Sequence, residues 1–322
     1  MPMTYRGNEF PEEMRSGPAD TTPSVGPAGK VAAILLAGGS GRRMGAGRNK
    51  LFLELEGRPI LGWTLEAFQR AVAVDRIILV LGENDQDLWR ELAGSLSWDK
   101  VTAVVTGGQE RSDSAARGLR ALSGDEEIVL LHDGARPLVS PELISQVVGA
   151  ARRYGSAVPG CPVKETIKQV TPATPFSSRG EPSETTALLS FPGPAEAPFL
   201  AELTLPRDRL WAVQTPQGFR REIILRAYEK AGYLEAKSAA DQGGAAGRGR
   251  DATNGNVDLA SDHGRMPFGY TDDASLVEAL GLPVCLIPGE EENIKITTRL
   301  DLELAEMLLR RRHPGRLEIG LW

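Results

Sequence analysis

Alternation of apolar strand-like runs with amphipathic helical stretches predicts an α/β fold whose twisted sheet is mostly parallel and flanked by helices. Two observations carry this. Four runs are apolar without polar alternation, and the stretches between them repeat at helical period and open with helix-start signals. A strand reads as a continuous apolar run when both its faces are covered, and crossover helices cover both faces of a parallel sheet.

The first run, VAAILLAGG at residues 31–39, ends in glycines. RIILVLG near residue 80, VTAVVTGG near 104 and EIVLLHDGARP near 130 follow. Between them, residues 59–72 set Leu61, Leu65 and Phe68 on one helical face, and residues 84–92 form a shorter helix. Residues 111–122 and 141–153 repeat the pattern. Pro141 stands in a first turn behind Ser140, whose hydroxyl suits an N-cap. Ser112, Asp113 and Ser114 can cap the helix that opens at 111.

After residue 155 the alternation loosens. SAVPGCPVKETIKQV reads as a strand and a second extended segment. Residues 171–206, rich in Pro, Ser, Thr and Glu, read as a long loop or extended arm. RLWAVQTPQGF then leads into the helix REIILRAYEKAG. Residues 236–268 are dominated by Gly, Ala, Asp and Ser, a composition expected to be flexible. Order resumes with YTDDASLVEALG, the strand PVCLIPG, and ENIKITTRLDLELAEMLLRRR, which ends as an amphipathic helix. Residues 1–29 are expected to be a disordered tail, because their Pro, Gly and acidic content cannot offset the entropy of ordering. Residues 30–322 are expected to form a single domain, with an arm at 165–208 and a flexible insertion at 236–268.

The 322 residues are 41% hydrophobic and carry a formal net charge of −6, a field that repels nucleic acid and anionic membranes. A phosphate-bearing ligand must therefore be held by a local cluster of cations. Two cysteines, Cys161 and Cys285, lie far apart without CxxC spacing, and only three histidines accompany them, which argues against zinc. No apolar run is long enough to span a membrane, and the first residues lack an apolar signal core. A cytoplasmic location is expected, with neither nucleic acid nor membrane as partner.

AAILLAGGSGRRMGAGRNK, residues 32–50, is the most informative stretch. A buried strand delivers Ala37, Gly38, Gly39, Ser40 and Gly41 into a turn, and such glycines let backbone amides approach an anion. Arg42 and Arg43 follow, and Lys50 comes seven residues after Arg43. Three cations and a bank of amides suit a triphosphate, whose charge must be neutralised before an oxygen attacks phosphorus. A P-loop would need Gly-Lys-Ser/Thr, but Asn49 precedes Lys50 and Leu51 follows it. Gly39, Gly41 and Gly45 are one residue out of register for a dinucleotide fingerprint. A glycine turn beside solvated cations is the plainer alternative, and it does not account for the whole combination.

In GGQERSDSAARGL, residues 107–119, Ser112, Asp113 and Ser114 can contact a base or ribose as well as cap a helix. LLHDGARP, residues 130–137, ends a buried strand with His132, Asp133 and Arg136. A carboxylate at that edge is well placed for magnesium; the alternative is a turn in which Asp133 bonds its own backbone.

LAGGSGRRMG followed by NK resembles the opening signature of the Rossmann-like nucleotidyltransferases, shared by sugar-nucleotide pyrophosphorylases and molybdopterin guanylyltransferases. The motifs at 107–119 and 130–137 resemble the 4-diphosphocytidyl-2-C-methyl-D-erythritol synthase family, also called methylerythritol phosphate cytidylyltransferases. PVKETIK at 162–168, LWAVQTPQGF at 210–219, YTDDAS at 270–275 and NIKITT at 293–298 do the same, in the family's order. The resemblance implies a Rossmann-like nucleotidyltransferase fold with an extended β-arm used in dimerisation. It implies CMP transfer from CTP to 2-C-methyl-D-erythritol 4-phosphate, with a divalent cation such as Mg2+, in a homodimer.

Residue by residue, it implies that Ala37, Gly38, Gly39 and Gly41 shape the CTP loop. Arg43 and Lys50, with Arg42 beside them, stabilise charge on the α-phosphate. Gly107, Gly108 and Ser114 contact base and ribose, and Asp133 is associated with the metal. Arg136, Thr271 and Lys295 hold the acceptor, while Thr166 and Arg207 reach it from the partner subunit. The sequence departs from the family pattern at Leu51 and Gln109 and in the length of 171–206 and 236–268. A ribitol 5-phosphate cytidylyltransferase shares nearly the same motifs, a more distant alternative within the fold is a sugar-1-phosphate or molybdopterin nucleotidyltransferase, and an alternative of another class is a nucleotide-binding regulatory protein without catalysis.

Overall fold

A computed structural model describes residues 29–38, 49–95, 97–172, 199–234 and 270–312. In chain order the strands and helices of the first half are β1 (Lys30–Ala37), β2 (Glu54–Leu55), β3 (Arg58–Pro59), α1 (Ile60–Arg70), β4 (Arg76–Leu81), α2 (Gln86–Ser95), β5 (Val101–Thr106), α3 (Arg111–Arg120), β6 (Glu126–Asp133), α4 (Pro141–Tyr154) and β7 (Ser156–Pro162). The second half adds β8 (Lys168–Pro172), β9 (Phe199–Thr204), β10 (Trp211–Val213), β11 (Gln217–Arg220), α5 (Arg221–Lys230), α6 (Asp273–Glu278), β12 (Cys285–Pro288) and α7 (Arg299–Arg312).

The four apolar runs become the parallel strands β5, β4, β1 and β6, adjacent in that order. Beyond β6 the sheet turns mixed. β11 runs antiparallel to β6 and to β7, β10 continues along the same edge of β7, and β12 lies parallel on its other side. This is where the sequence pattern loosened: short antiparallel strands on a parallel sheet leave no long apolar signature. The chain steps from β1 outward to β4 and β5, then returns to β6 on the other side of β1. That reversal opens a crevice at the carboxyl ends of β1 and β6, where ligands bind in open α/β sheets.

The central strands β1, β4 and β6 share their side chains between two cores, because successive residues point to opposite faces. Val31, Ala33 and Leu35 join Leu61, Leu65 and Phe68 of α1, Val147 of α4 and Leu308 of α7. Ile34, Val80 and Val129 instead meet Ala115 and Leu119 of α3, Tyr228 of α5 and Leu276 of α6. Gly118 is required here: a Cβ on it would stand 2.4 Å from Cγ2 of Ile34, so only a glycine lets α3 lie this close to β1.

Ser140 caps α4, accepting the amide of Leu143 at 3.0 Å. The expected cap of α3 is corrected. Glu110 is its N-cap in a reciprocal capping box with Asp113, and Ser112 and Ser114 lie inside the helix. Of 171–206, residues 199–204 form β9, which pairs antiparallel with β8 as a ribbon separate from the main sheet. Val170 and Leu203 on this ribbon are exposed. Cys161 and Cys285 are both free thiols. Residues 1–28 of the tail expected at 1–29, the interior of the arm at 173–198 and the insertion at 236–268 lie outside the described residues.

Candidate active site

The carboxyl ends of the parallel strands carry Ala37 on β1, Leu81 on β4, Thr106 on β5 and Asp133 on β6. Asp133 is the centre of the polar cluster there. Its Oδ1 accepts Nε of Arg111 at 3.0 Å and its Oδ2 accepts Nζ of Lys295 at 2.7 Å. Burial by itself would raise the Asp133 pKa, but the Arg111 and Lys295 cations outweigh it and hold the carboxyl well below the usual range. Arg111 spends its other two nitrogens on Asp273, at 2.9 and 2.7 Å. Tyr228 adds its hydroxyl to Asp273 at 2.6 Å. Burial lowers the Arg111 pKa and its two carboxylates raise it further, so the guanidinium is always charged.

A second network holds Arg136 and the segment that carries Lys295. Arg136 donates to the Asn293 carbonyl at 2.6 Å, and Asn293 donates its side-chain amide to the Thr215 carbonyl at 2.9 Å. The Thr215 hydroxyl accepts the Asp133 amide at 3.1 Å and meets Nδ1 of His132 at 3.1 Å, while Nε2 of His132 meets the Arg136 carbonyl at 3.3 Å. Burial pushes His132 down to about 3, which keeps the ring neutral. Nδ1 then accepts from Thr215 and Nε2–H donates to Arg136, a tautomer assigned from these contacts. Nε of Arg136 is buried without a hydrogen-bond partner. Burial also lowers the Arg136 pKa.

Lys50 opens a short 3-10 turn, Lys50–Phe52, and donates Nζ to the Ile296 carbonyl at 2.6 Å. That carbonyl is next in chain to Lys295, so both lysines are anchored on one segment. Ala37 is buried, and its carbonyl accepts Nδ2 of Asn49 at 2.7 Å. Gly38 passes beside the backbone of Leu81 and Gly82. At the end of β5, Gly107 donates to the Leu81 carbonyl at 2.7 Å and Gly108 donates to the Ser114 hydroxyl at 3.0 Å. A Cβ on Gly108 would meet Cβ of Asp113 at 2.3 Å, which is why glycine stands there. Gly39, Gly41, Arg42 and Arg43 lie outside the described residues.

Asp133, Arg136, Lys50 and Lys295 are thus joined by short chains of contacts, with Ala37, Gly38, Gly107, Gly108 and Ser114 on the adjacent strand ends. Thr271 is exposed one residue before Asp272, the N-cap of α6, whose other carboxylate oxygen accepts Gln217 at 2.7 Å. Thr166 and Arg207 stand at the base of the ribbon instead. Thr166 is exposed ahead of β8, and exposed Arg207 donates to the Lys164 carbonyl at 2.8 Å. Sequence reasoning did not single out Arg111 and Asp273. Arg111 lies inside a recognised motif, but the partners that give it a task are 22 and 162 residues away.

These residues number four cations, Arg111, Arg136, Lys50 and Lys295, against two carboxylates, Asp133 and Asp273, so an acidic protein gathers a local excess of positive charge suited to anions. Among the described residues no group of three or more His, Cys, Asp or Glu is arranged for a metal ion. Asp133 alone still fits magnesium of the phosphate-bridging kind, which takes one or two carboxylates and completes its shell with phosphate oxygens and water.

The sequence model of the IspD family, 2-C-methyl-D-erythritol 4-phosphate cytidylyltransferase, matches residues 31–178 and 256–311, more than half of the chain. A 2-C-methyl-D-erythritol 4-phosphate cytidylyltransferase from Geobacillus kaustophilus is 39% identical over 277 residues, 86% of this chain and 96% of its own. One from Pelotomaculum thermopropionicum is 38% identical over 292 residues, 90% of this chain and 99% of its own. The crystal structure of 4-diphosphocytidyl-2C-methyl-D-erythritol synthase from Anaerococcus prevotii superposes with a TM-score of 0.61 at 27% identity, covering 88% of this chain and 97% of that one. That of the cytidylyltransferase from Thermus thermophilus gives 0.55 at 29% identity, covering 87% and 99%. The fold, the order of the motifs and these likenesses agree, and the chain belongs to the 2-C-methyl-D-erythritol 4-phosphate cytidylyltransferase family.

Proposed function

We propose that this enzyme transfers CMP from CTP to 2-C-methyl-D-erythritol 4-phosphate, forming 4-diphosphocytidyl-2-C-methyl-D-erythritol and pyrophosphate. The observation that carries the reading is Asp133 paired with Arg111 and Lys295, with Lys50 tied to the Ile296 carbonyl and Arg136 to the Asn293 carbonyl on either side of Lys295, at the carboxyl edge of a sheet shared with named cytidylyltransferases.

In this reading an oxygen of the acceptor's phosphate attacks the α-phosphorus of CTP in line, and the bond from that phosphorus to the bridging oxygen of pyrophosphate breaks. A phosphate monoester is already anionic near neutral pH, so no general base is needed. Catalysis is positioning plus charge stabilisation. Ala37, Gly38, Gly39 and Gly41 offer backbone to the triphosphate, and Gly107, Gly108 and Ser114 receive the base and ribose. Lys50, Arg43 and Arg42 take up charge as it grows on the α-phosphate. Arg136, Lys295 and Thr271 hold the acceptor. The tie from Lys50 to the segment of Lys295 supports bringing nucleotide and acceptor cations to one point.

Mg2+, held by Asp133 and phosphate oxygens, would neutralise the departing pyrophosphate. We read the ribbon of β8 and β9 as the arm through which a second copy contributes Thr166 and Arg207, making a homodimer. Its exposed Val170 and Leu203 support that role. No helix among the described residues is long and apolar enough to cross a membrane, and we place the enzyme in the cytoplasm.

The test is pyrophosphate release with CTP and magnesium, offering methylerythritol 4-phosphate and ribitol 5-phosphate in parallel. Turnover confined to the former is expected, with an Asp133→Asn variant demanding more Mg2+ for the same rate. Preference for ribitol 5-phosphate would overturn the acceptor assignment and leave the chemistry intact. No release with either would overturn both.

A further inference from the structure

The Asn49 side chain does more than cap the turn that carries Lys50. It is 5% exposed, and its amide is fully committed. Its Oδ1 accepts the Leu51 amide at 3.1 Å, which is the capping bond. Its two Nδ2 protons go elsewhere, to the Ala37 carbonyl at 2.7 Å and to Oδ2 of Asp85 at 2.6 Å. One amide therefore ties together the end of β1, the turn after β4 and the turn bearing Lys50.

Asp85 is buried as well, at the end of a 3-10 turn, Glu83–Asp85, that runs into α2. The partial positive charge of a helix N-terminus favours a carboxylate there. It lies so close over Gly82 that a Cβ on that residue would meet Oδ2 at 2.5 Å. On the other side of Lys50, Leu51 and Phe52 are sunk in the core of the α1 face. Lys50 is therefore the half-buried residue between two anchors, one polar and one apolar.

We propose that Asn49 and Asp85 are positioning residues for Lys50, fixing its main chain so that its ammonium is presented to the reacting phosphate in one place. The inference rests on the reading that Lys50 stabilises charge at the α-phosphate. Asparagine suits the position for a physical reason. Aspartate would set two carboxylates against each other, serine has one donor for two acceptors, and glutamine is a methylene too long for the space.

The experiment is steady-state pyrophosphate release by Asn49→Ala, Lys50→Ala, the double variant, Asp85→Ala and Asp85→Asn, each normalised to folded protein by thermal unfolding. A displacement of about 1 Å at a reacting group costs about a hundredfold in rate, so Asn49→Ala should lose about ten- to a hundredfold in kcat. Its KM for CTP should stay within about twofold. If Asn49 acts through Lys50, its substitution has no further effect once Lys50 is alanine. Asp85→Asn keeps a carbonyl to accept the Asn49 amide and should recover at least half the kcat that Asp85→Ala loses. Wild-type kcat in folded Asn49→Ala, or effects of Asn49→Ala and Lys50→Ala that multiply, would overturn the inference alone. An unchanged kcat in Lys50→Ala would overturn the role of Lys50 and the inference with it.

Discussion

Asp133 is held by Arg111 and Lys295, and Arg111 in turn is held by Asp273, so the charge at the centre of the site depends on a pair of residues that contact it from opposite ends of the chain. Asp273 is fully buried and keeps its charge partner only while Arg111 is in place. Removing one member of a buried pair leaves an uncompensated charge, which costs roughly 3 to 5 kcal/mol. Arg111→Met should therefore destabilise the protein by about that amount in urea unfolding at neutral pH. A loss below about 1 kcal/mol would mean that water or Tyr228 alone satisfies Asp273. Asp133 itself was legible in the sequence, because a carboxylate at the end of an apolar run marks a sheet's ligand edge. Arg111 and Asp273 were not, since no local pattern encodes a salt bridge across 162 residues.

At the scale of elements, the helices and parallel strands follow from period alone. The apolar triad Leu61, Leu65 and Phe68 places α1, and Ser140 with Pro141 places the start of α4. The start of α3 was legible and its cap was not, because Glu110, Ser112, Asp113 and Ser114 are all chemically able to cap and only the backbone path selects Glu110. Ser114 is thereby turned toward the Gly108 amide, which stiffens the strand end expected to meet the base. The closeness of α3 to β1 depends on Gly118. Gly118→Ala forces a Cβ into Ile34, and overpacking of this kind costs about 1 to 3 kcal/mol. Differential scanning calorimetry should show the lower Tm, and an unchanged Tm would mean that α3 can slide outward without loss. Ile34→Ala removes the Cγ2 that the new Cβ would meet, so the double variant Gly118→Ala with Ile34→Ala should lose less stability than the sum of the two single changes.

For the whole molecule, one sheet supplies side chains to both cores, so neither face can be lost without exposing the other side of the same strands. With Trp211 and Trp322 replaced by phenylalanine, tryptophan fluorescence comes from Trp63, Trp89 and Trp98 and reports on the α1 face, and far-UV circular dichroism reports on all helices. The two should give coincident urea transitions. Separate midpoints would show that the α3–α5 face unfolds by itself. The distribution of charge also belongs to this scale. A chain of net charge −6 gathers Lys50, Arg111, Arg136 and Lys295 at one edge of its sheet, and the excess of carboxylates lies elsewhere.

The sequence by itself determined the α/β class, the four parallel strands and the order of the motifs, because the period of apolar residues and short glycine-rich signatures are local properties of the chain. It also located Asp133, Lys50, Arg136 and Lys295 as candidates, each within such a signature. Only the tertiary structure decided that β10 and β11 run antiparallel beside β7, since short strands carry too few residues to show a period. Only it decided that Arg111 bridges Asp133 to Asp273, and that Asn49 binds both Ala37 and Asp85. These pairings join residues distant in sequence through the strand order, and strand order is set by how the helices cover both faces of the sheet.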